Sequence, residues 1–114
     1  MAPDDTFELY DLEVTVEGDE KDFVCRHHAG RAFRVEGEDL VFPEGGRFSM
    51  YALAALLPLL PAKERPTSHN DWMTTDALIA CPDPNCAAKF RIQRTARRTL
   101  SHAECTVVPL GEKA

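Results

Sequence analysis

Two cysteines set in a proline-restricted turn, Cys81-Pro82-Asp83-Pro84-Asn85-Cys86, constrain this chain more than any other feature. Pro82 and Pro84 each fix φ at about −65° and take freedom from the unfolded loop, which preorganises a compact knuckle with a thiol at either end. The flanking residues read as strands. Asp76-Ala77-Leu78-Ile79-Ala80 runs into the turn, and Ala88-Lys89-Phe90-Arg91-Ile92 alternates out of it. The combination predicts a hairpin with the cysteines at its tip.

Thiols so placed suit zinc, which takes four nitrogen or sulfur donors in a tetrahedron. Upstream, Cys25-Arg26-His27-His28 offers a Cys-x-x-His pair, so the predicted ligand set is Cys25, His28, Cys81 and Cys86. Downstream, His102 and Cys105 form an alternative pair for the same turn. Four protein ligands leave no coordination position for water, and the ion expected is therefore structural rather than hydrolytic. For each thiol taken singly, the competing explanation is a small buried core side chain. No third group orients a Cys–His pair and no glycine-rich anion-binding turn is evident, so the sequence makes no catalytic case.

A chain of 114 residues with 28% charged residues fits one globular domain, small enough that a metal staple would matter. Its organisation is expected to be a flexible stretch at 1–6, a single α+β domain at 7–110 and a flexible end at 111–114. Residues 7–16 alternate as a strand with one wet face; shorter strands follow at 32–35 and 39–42. The last strand is expected at 105–110, on a sheet edge because Pro109 cannot donate to a ladder.

Between these strands Ser49 can cap a helix from Met50 to Leu57, where Pro58 and then Pro61 oppose its continuation. Of the 13 residues from Phe48 to Leu60, only Ser49 and Pro58 are not apolar, so this principal helix has no polar face. Either the sheet and loops cover it, or another subunit does. Residues 61–75 read as a long surface loop whose polarity is broken by Trp72, an anchoring residue by virtue of its apolar area. Met50, Tyr51, Leu53, Leu57 and Trp72 are accordingly the candidate partner-binding residues.

The N-terminus is acidic where a secretory signal is basic, and no apolar run reaches the roughly 20 residues that span a bilayer. These features predict a cytoplasmic chain with reduced thiols and no membrane partner. The net charge of −6 divides into −9 for residues 1–44 and +3 for residues 45–114. Lys89, Arg91, Arg94, Arg97 and Arg98 form a basic run that could meet nucleic acid, although the acidic balance disfavours that partner.

The ordered series Cys25-x-x-His28-x-Gly30, Pro43-Glu44-Gly45-Gly46, Ala52 to Pro58, Cys81-Pro82-Asp83-Pro84 and Phe90-Arg91-Ile92-x-Arg94 resembles a family of small uncharacterised bacterial proteins. The resemblance covers most of residues 7–94. It implies a compact non-secreted domain with thiol and imidazole positions, and no particular activity. Ser49 stands where that pattern often has cysteine, and Arg31 where an aspartate commonly follows the glycine. An ion held through the former position would here need Cys86 as substitute. In size and plan the chain is also similar to the small zinc-bearing accessory subunits of aromatic-acid decarboxylases that use prenylated flavin.

The leading expectation is a non-catalytic accessory or interaction protein with a structural zinc site, docked on a larger enzyme subunit or on another copy of itself. Two alternatives stand beside it: a small thiol-dependent enzyme or redox protein using Cys25, Cys81 or Cys86, and a nucleic-acid-binding module using residues 89–98.

Overall fold

In the computed structural model, which describes residues 5–111, the long alternating N-terminal segment is β1 (Thr6–Glu17), the middle strand of a five-stranded sheet. Its inward residues Leu12, Val14 and Val16 are buried, as the period of two requires. β2 (Gly30–Glu36) pairs antiparallel with one edge of β1 and carries β3 (Asp39–Val41) outside it. β4 (Leu78–Ala80) and β5 (Lys89–Ser101) follow on the other side, and the order is β3-β2-β1-β5-β4 with every pair antiparallel. The architecture is α+β with a small antiparallel sheet. Thr6, within the stretch 1–6 expected to be flexible, already belongs to β1; residues 1–4 and 112–114, which hold most of the two expected flexible ends, lie outside the described residues.

The basic run belongs to β5, which continues to Ser101 and pairs with β1 along its whole length, from Thr6↔Ser101 to Glu17↔Lys89. That pairing places the bases beside acids of the first strand. Arg91 forks onto Glu17, Arg97 meets Glu8 at 3.0 Å, and Arg98 grips Asp11 through two nitrogens at 3.0 and 2.9 Å. The Arg98 hydrogen bond holds the Asp11 carboxyl below its ordinary range, against the opposing effect of burial. The charge asymmetry between the two halves of the sequence is thus met largely within the sheet.

The helix over the sheet is α1 (Met50–Leu56), capped as expected by Ser49, whose Oγ accepts from the Ala52 amide at 3.3 Å. Ala52 and Leu56, one turn apart, are its buried residues. Pro61 does not end helical structure. It falls in the first turn of a second short helix, α2 (Leu60–Glu64), where its missing N–H would have had no partner anyway. The surface loop expected over 61–75 is therefore partly ordered: α2 opens it, and a 3₁₀ turn at Trp72–Thr74 buries Met73 while leaving Trp72 63% exposed. Lys63 fastens this segment by donating to the carbonyls of Met73 and Asp76 at 2.6 and 2.7 Å. Arg94 donates to the carbonyls of Lys63 and Arg65 at the end of α2, with its guanidinium 4.5 Å from the Tyr10 ring centroid.

The strand expected over 105–110 is absent. A capping box between Ser101 and Glu104 turns the chain into a one-turn helix, α3 (His102–Cys105), and the edge of β1 beside it is already occupied by β5. Beyond α3 the chain is irregular, with Val107 wholly exposed.

Glu64 is the one misfit in the core side of α2: it is 4% exposed, and its Oε2 has no hydrogen-bond partner among the described residues. Burial pushes its pKa up to about 7, with Glu38 and Asp11 adding to the rise and Arg65 opposing it. A carboxyl whose folded pKa exceeds its unfolded value binds its proton more tightly when folded. The stabilisation from that proton is complete below about pH 4.5 and is lost as pH rises through about 7. We expect Glu64→Met to flatten the decline of stability across this window and to stabilise the protein at pH 8 by about 1–2 kcal/mol, after allowance for solvent screening. Urea midpoints of both proteins at pH 5 and pH 8 check this; equal pH slopes would contradict it.

Candidate metal centre

The expected hairpin forms, with β4 entering and β5 leaving the cysteine turn. The Cys81 amide donates to the Ala88 carbonyl at 3.1 Å, closing the loop at its base. Inside it the Asp83 carboxylate accepts from the Asn85 amide at 2.9 Å, and the Cys86 amide donates to the Asp83 carbonyl at 3.0 Å. This is the local turn chemistry that favours Asp before a reversal. Ala87 is tied to Asp22 across the gap, its amide 3.3 Å from that carbonyl, which brings the segment before β2 against the knuckle.

Four ligand atoms converge where the two segments meet. The sulfurs of Cys25, Cys81 and Cys86 and a ring nitrogen of His27 all lie within 4.8 Å of one another. Cys25 Sγ is 3.7 Å from Cys81 Sγ, and Cys81 Sγ is 3.7 Å from His27 Nε2. A tetrahedron with zinc–sulfur bonds of about 2.3 Å has edges of about 3.8 Å, which these two separations match, and the remaining ones are no longer than 4.8 Å.

The histidine is His27, which corrects the expected set. His28 stands outside the cluster, exposed, with Nδ1 3.0 Å from Glu20 Oε1. Burial alternates along this segment: Cys25 is half-buried, Arg26 exposed, His27 buried and His28 exposed. Residues two apart therefore share the inward face. Cys-x-x-His spacing points to His28, whereas the charged Arg26 between Cys25 and His27 marks those two as the inward pair. His102 and Cys105 are not in the cluster either. They belong to α3, where His102 Nε2 is 2.7 Å from the Val108 carbonyl and Cys105 is exposed.

The surroundings suit a divalent cation. His27 packs edge-on to Phe90 at 5.0 Å between ring centroids, and lies 6.3 and 6.0 Å from Phe23 and Phe48. Burial in this aromatic setting lowers its pKa, favouring the neutral imidazole that a metal requires. Burial works against the Cys86 thiolate, yet amides of Cys25, Ala88 and Val24 outweigh it and bring the thiol down to about 7. The Val24 amide lies 3.3 Å from that sulfur. Cys25 moves the opposite way, pushed up to about 12 by its hydrogen bond with Cys81, then by burial and the nearness of Cys86. Three thiols this close cannot all ionise beside one another unless a cation joins them.

Comparison with protein-family models, curated proteins and solved structures returns no match. The chemistry of the donor set therefore carries the functional reading. It is a cluster of three cysteines and one histidine near enough to hold a metal ion.

The five residues expected to meet a partner divide by exposure. Met50 and Tyr51 are each 73% exposed, Trp72 63% and Leu57 44%, whereas Leu53 is packed against the core. Among the described residues no helix is long and apolar enough to cross a membrane.

Proposed function

We propose that this chain is a small non-catalytic accessory protein whose fold is fastened by one structural zinc ion, held by Cys25, His27, Cys81 and Cys86. The observation that carries the reading is a set of four donors, three sulfurs and one ring nitrogen, gathered within 4.8 Å of one another where the segment before β2 meets the cysteine turn. Zinc is favoured over hard cations because three of the donors are thiols and the fourth an imidazole. With all four positions filled by protein, the ion offers no site to water or substrate.

The accessory role rests on the outward face of α1. Met50, Tyr51 and Leu57 point away from the sheet, and Trp72 adds a second exposed apolar group. Large exposed apolar side chains gathered on a small domain are the usual mark of a surface that is covered in an assembly. The partner class we favour is a larger enzyme subunit of the aromatic-acid decarboxylase kind. Native mass spectrometry of the protein isolated gently from its own source tests both parts. One zinc per chain within an assembly containing a larger chain is expected; a metal-free monomer would overturn the proposal.

Cys86 favours a second reading, a thiol-redox protein, because its lowered pKa gives a reactive thiolate near neutral pH. That reading expects rapid alkylation confined to Cys86 in the protein as isolated. Uniformly slow alkylation, reversed by a chelator, supports the metal instead. The nucleic-acid reading loses its main support, since Arg91, Arg97 and Arg98 are matched by acids of β1.

A further inference from the structure

The alternation that turns Cys25 and His27 inward leaves Arg26 and His28 outward, on the wall of a cavity that Arg47 from the loop before α1 also lines, with His28 paired to Glu20. This open cavity has a volume of about 650 Å³, and its remaining wall includes Phe48 and Tyr51. A second cavity of about 170 Å³ shares Arg26, His28, Arg47 and Phe48 and adds Arg31. No carboxylate lines either cavity, in a chain with 19 acids against 13 bases.

The disposition of the arginines sharpens this contrast. Arg31, Arg34, Arg65, Arg91, Arg97 and Arg98 each have a carboxylate partner, and Arg94 is hydrogen-bonded to the end of α2. Among the described residues only Arg26 and Arg47 have neither kind of partner, and both face the same cavity. Everywhere else the fold meets guanidinium charge with its own acceptors. Here it leaves two arginines without an acceptor on the wall of one open cavity, and a guanidinium is suited to bidentate capture of an oxyanion. The volume is that of small-molecule sites, and the aromatic wall suits an apolar body rather than a bare inorganic ion.

We propose that this cleft binds a small organic anion, its carboxylate or phosphate oxygens held by Arg26 and Arg47 and its apolar part lying against Phe48 and Tyr51. The inference rests on the metal reading only in that the ion would fix the loop carrying Arg26. Zinc content is therefore measured first, so that failure of the metal and failure of the cleft are separate results. Zinc-loaded, isotopically labelled full-length protein is then titrated with benzoate, phenyl phosphate and neutral benzyl alcohol, with amide chemical shifts as the readout.

Saturable shifts centred on Arg26, His28, Arg47 and Phe48 are expected for one or both anions and none for benzyl alcohol. The better of the two anions tells carboxylate from phosphate. Arg26→Ala and Arg47→Ala should each weaken binding about tenfold while keeping one zinc per chain. Equal binding of benzyl alcohol, unsaturable shifts spread over all basic residues, or no shifts in zinc-loaded protein would overturn the proposal. Loss of zinc in both arginine variants, with anion binding unchanged once zinc is restored, would show that the arginines balance the thiolates instead.

Discussion

A Cys81→Ser chain is expected to lose one-to-one zinc binding and about 3–5 kcal/mol of folding stability in zinc-containing buffer. Cys81 is the most buried of the three thiols in the cluster, and its sulfur lies 3.7 Å from both Cys25 Sγ and His27 Nε2. Structural zinc contributes about 10–16 kcal/mol where it organises a whole zinc-finger peptide, and losing the ion should cost less than that here because the sheet supplies part of the core. The sheet has a core of its own in Leu12, Val14, Phe33, Val35 and Ile92, so the variant should stay folded while the segments around Cys25 and Cys86 loosen. Urea denaturation with and without zinc, together with amide hydrogen exchange, separates these effects. His27→Ala should reproduce the loss and His28→Ala should not, because His28 faces Glu20. Zinc bound one-to-one by Cys81→Ser at an unchanged midpoint, or equal damage from the two histidine variants, would refute the ligand set.

The contrast between those histidines shows where reading the sequence succeeds and where it stops. Period-two alternation is a local signal, and it marks β1, β2, β3 and the start of β5 because one face of each strand is wet. Ser49 and Pro58 likewise bracket α1 through local backbone chemistry. What lies between Gln93 and Ser101 is not local. Those residues carry bases and few apolar groups, and they form strand only because β1 extends far enough to pair with them and offers Glu8 and Asp11 within reach of Arg97 and Arg98.

Near Val107 the β-branched composition suits the strand expected there, but α3 turns the chain out of β5 after Ser101 and the residues beyond it pair with no strand. At the metal cluster the three cysteines were legible from their turn and spacing. The choice of histidine depended on which side of an irregular loop faces Phe90, a tertiary fact that a Cys-x-x-His spacing does not encode.

Phe90→Ala should be as costly as the loss of a ligand, about 3–5 kcal/mol, because it leaves a cavity where core and metal cluster meet. Phe90 is fully buried on β5 and pairs with Val16 on one side and Ile79 on the other. Its ring lies 5.5 Å from Phe48 and 5.0 Å from His27, both edge-on, so one side chain supports the aromatic core and orients a ligand. We therefore expect a second effect, about tenfold weaker zinc binding in competition with a chelating dye, equivalent to about 1.4 kcal/mol. Phe33→Ala is the control: Phe33 is also fully buried and meets Phe42 and Phe48 at 5.0 and 5.2 Å, with no His27 contact of its kind. It should lower the urea midpoint by a similar amount and leave zinc affinity within about twofold of the parent. If both variants weakened zinc binding equally, the effect would reflect general loosening of the fold. A difference confined to Phe90 would show that the hydrophobic core sets the position of His27, and so that zinc and the sheet stabilise each other.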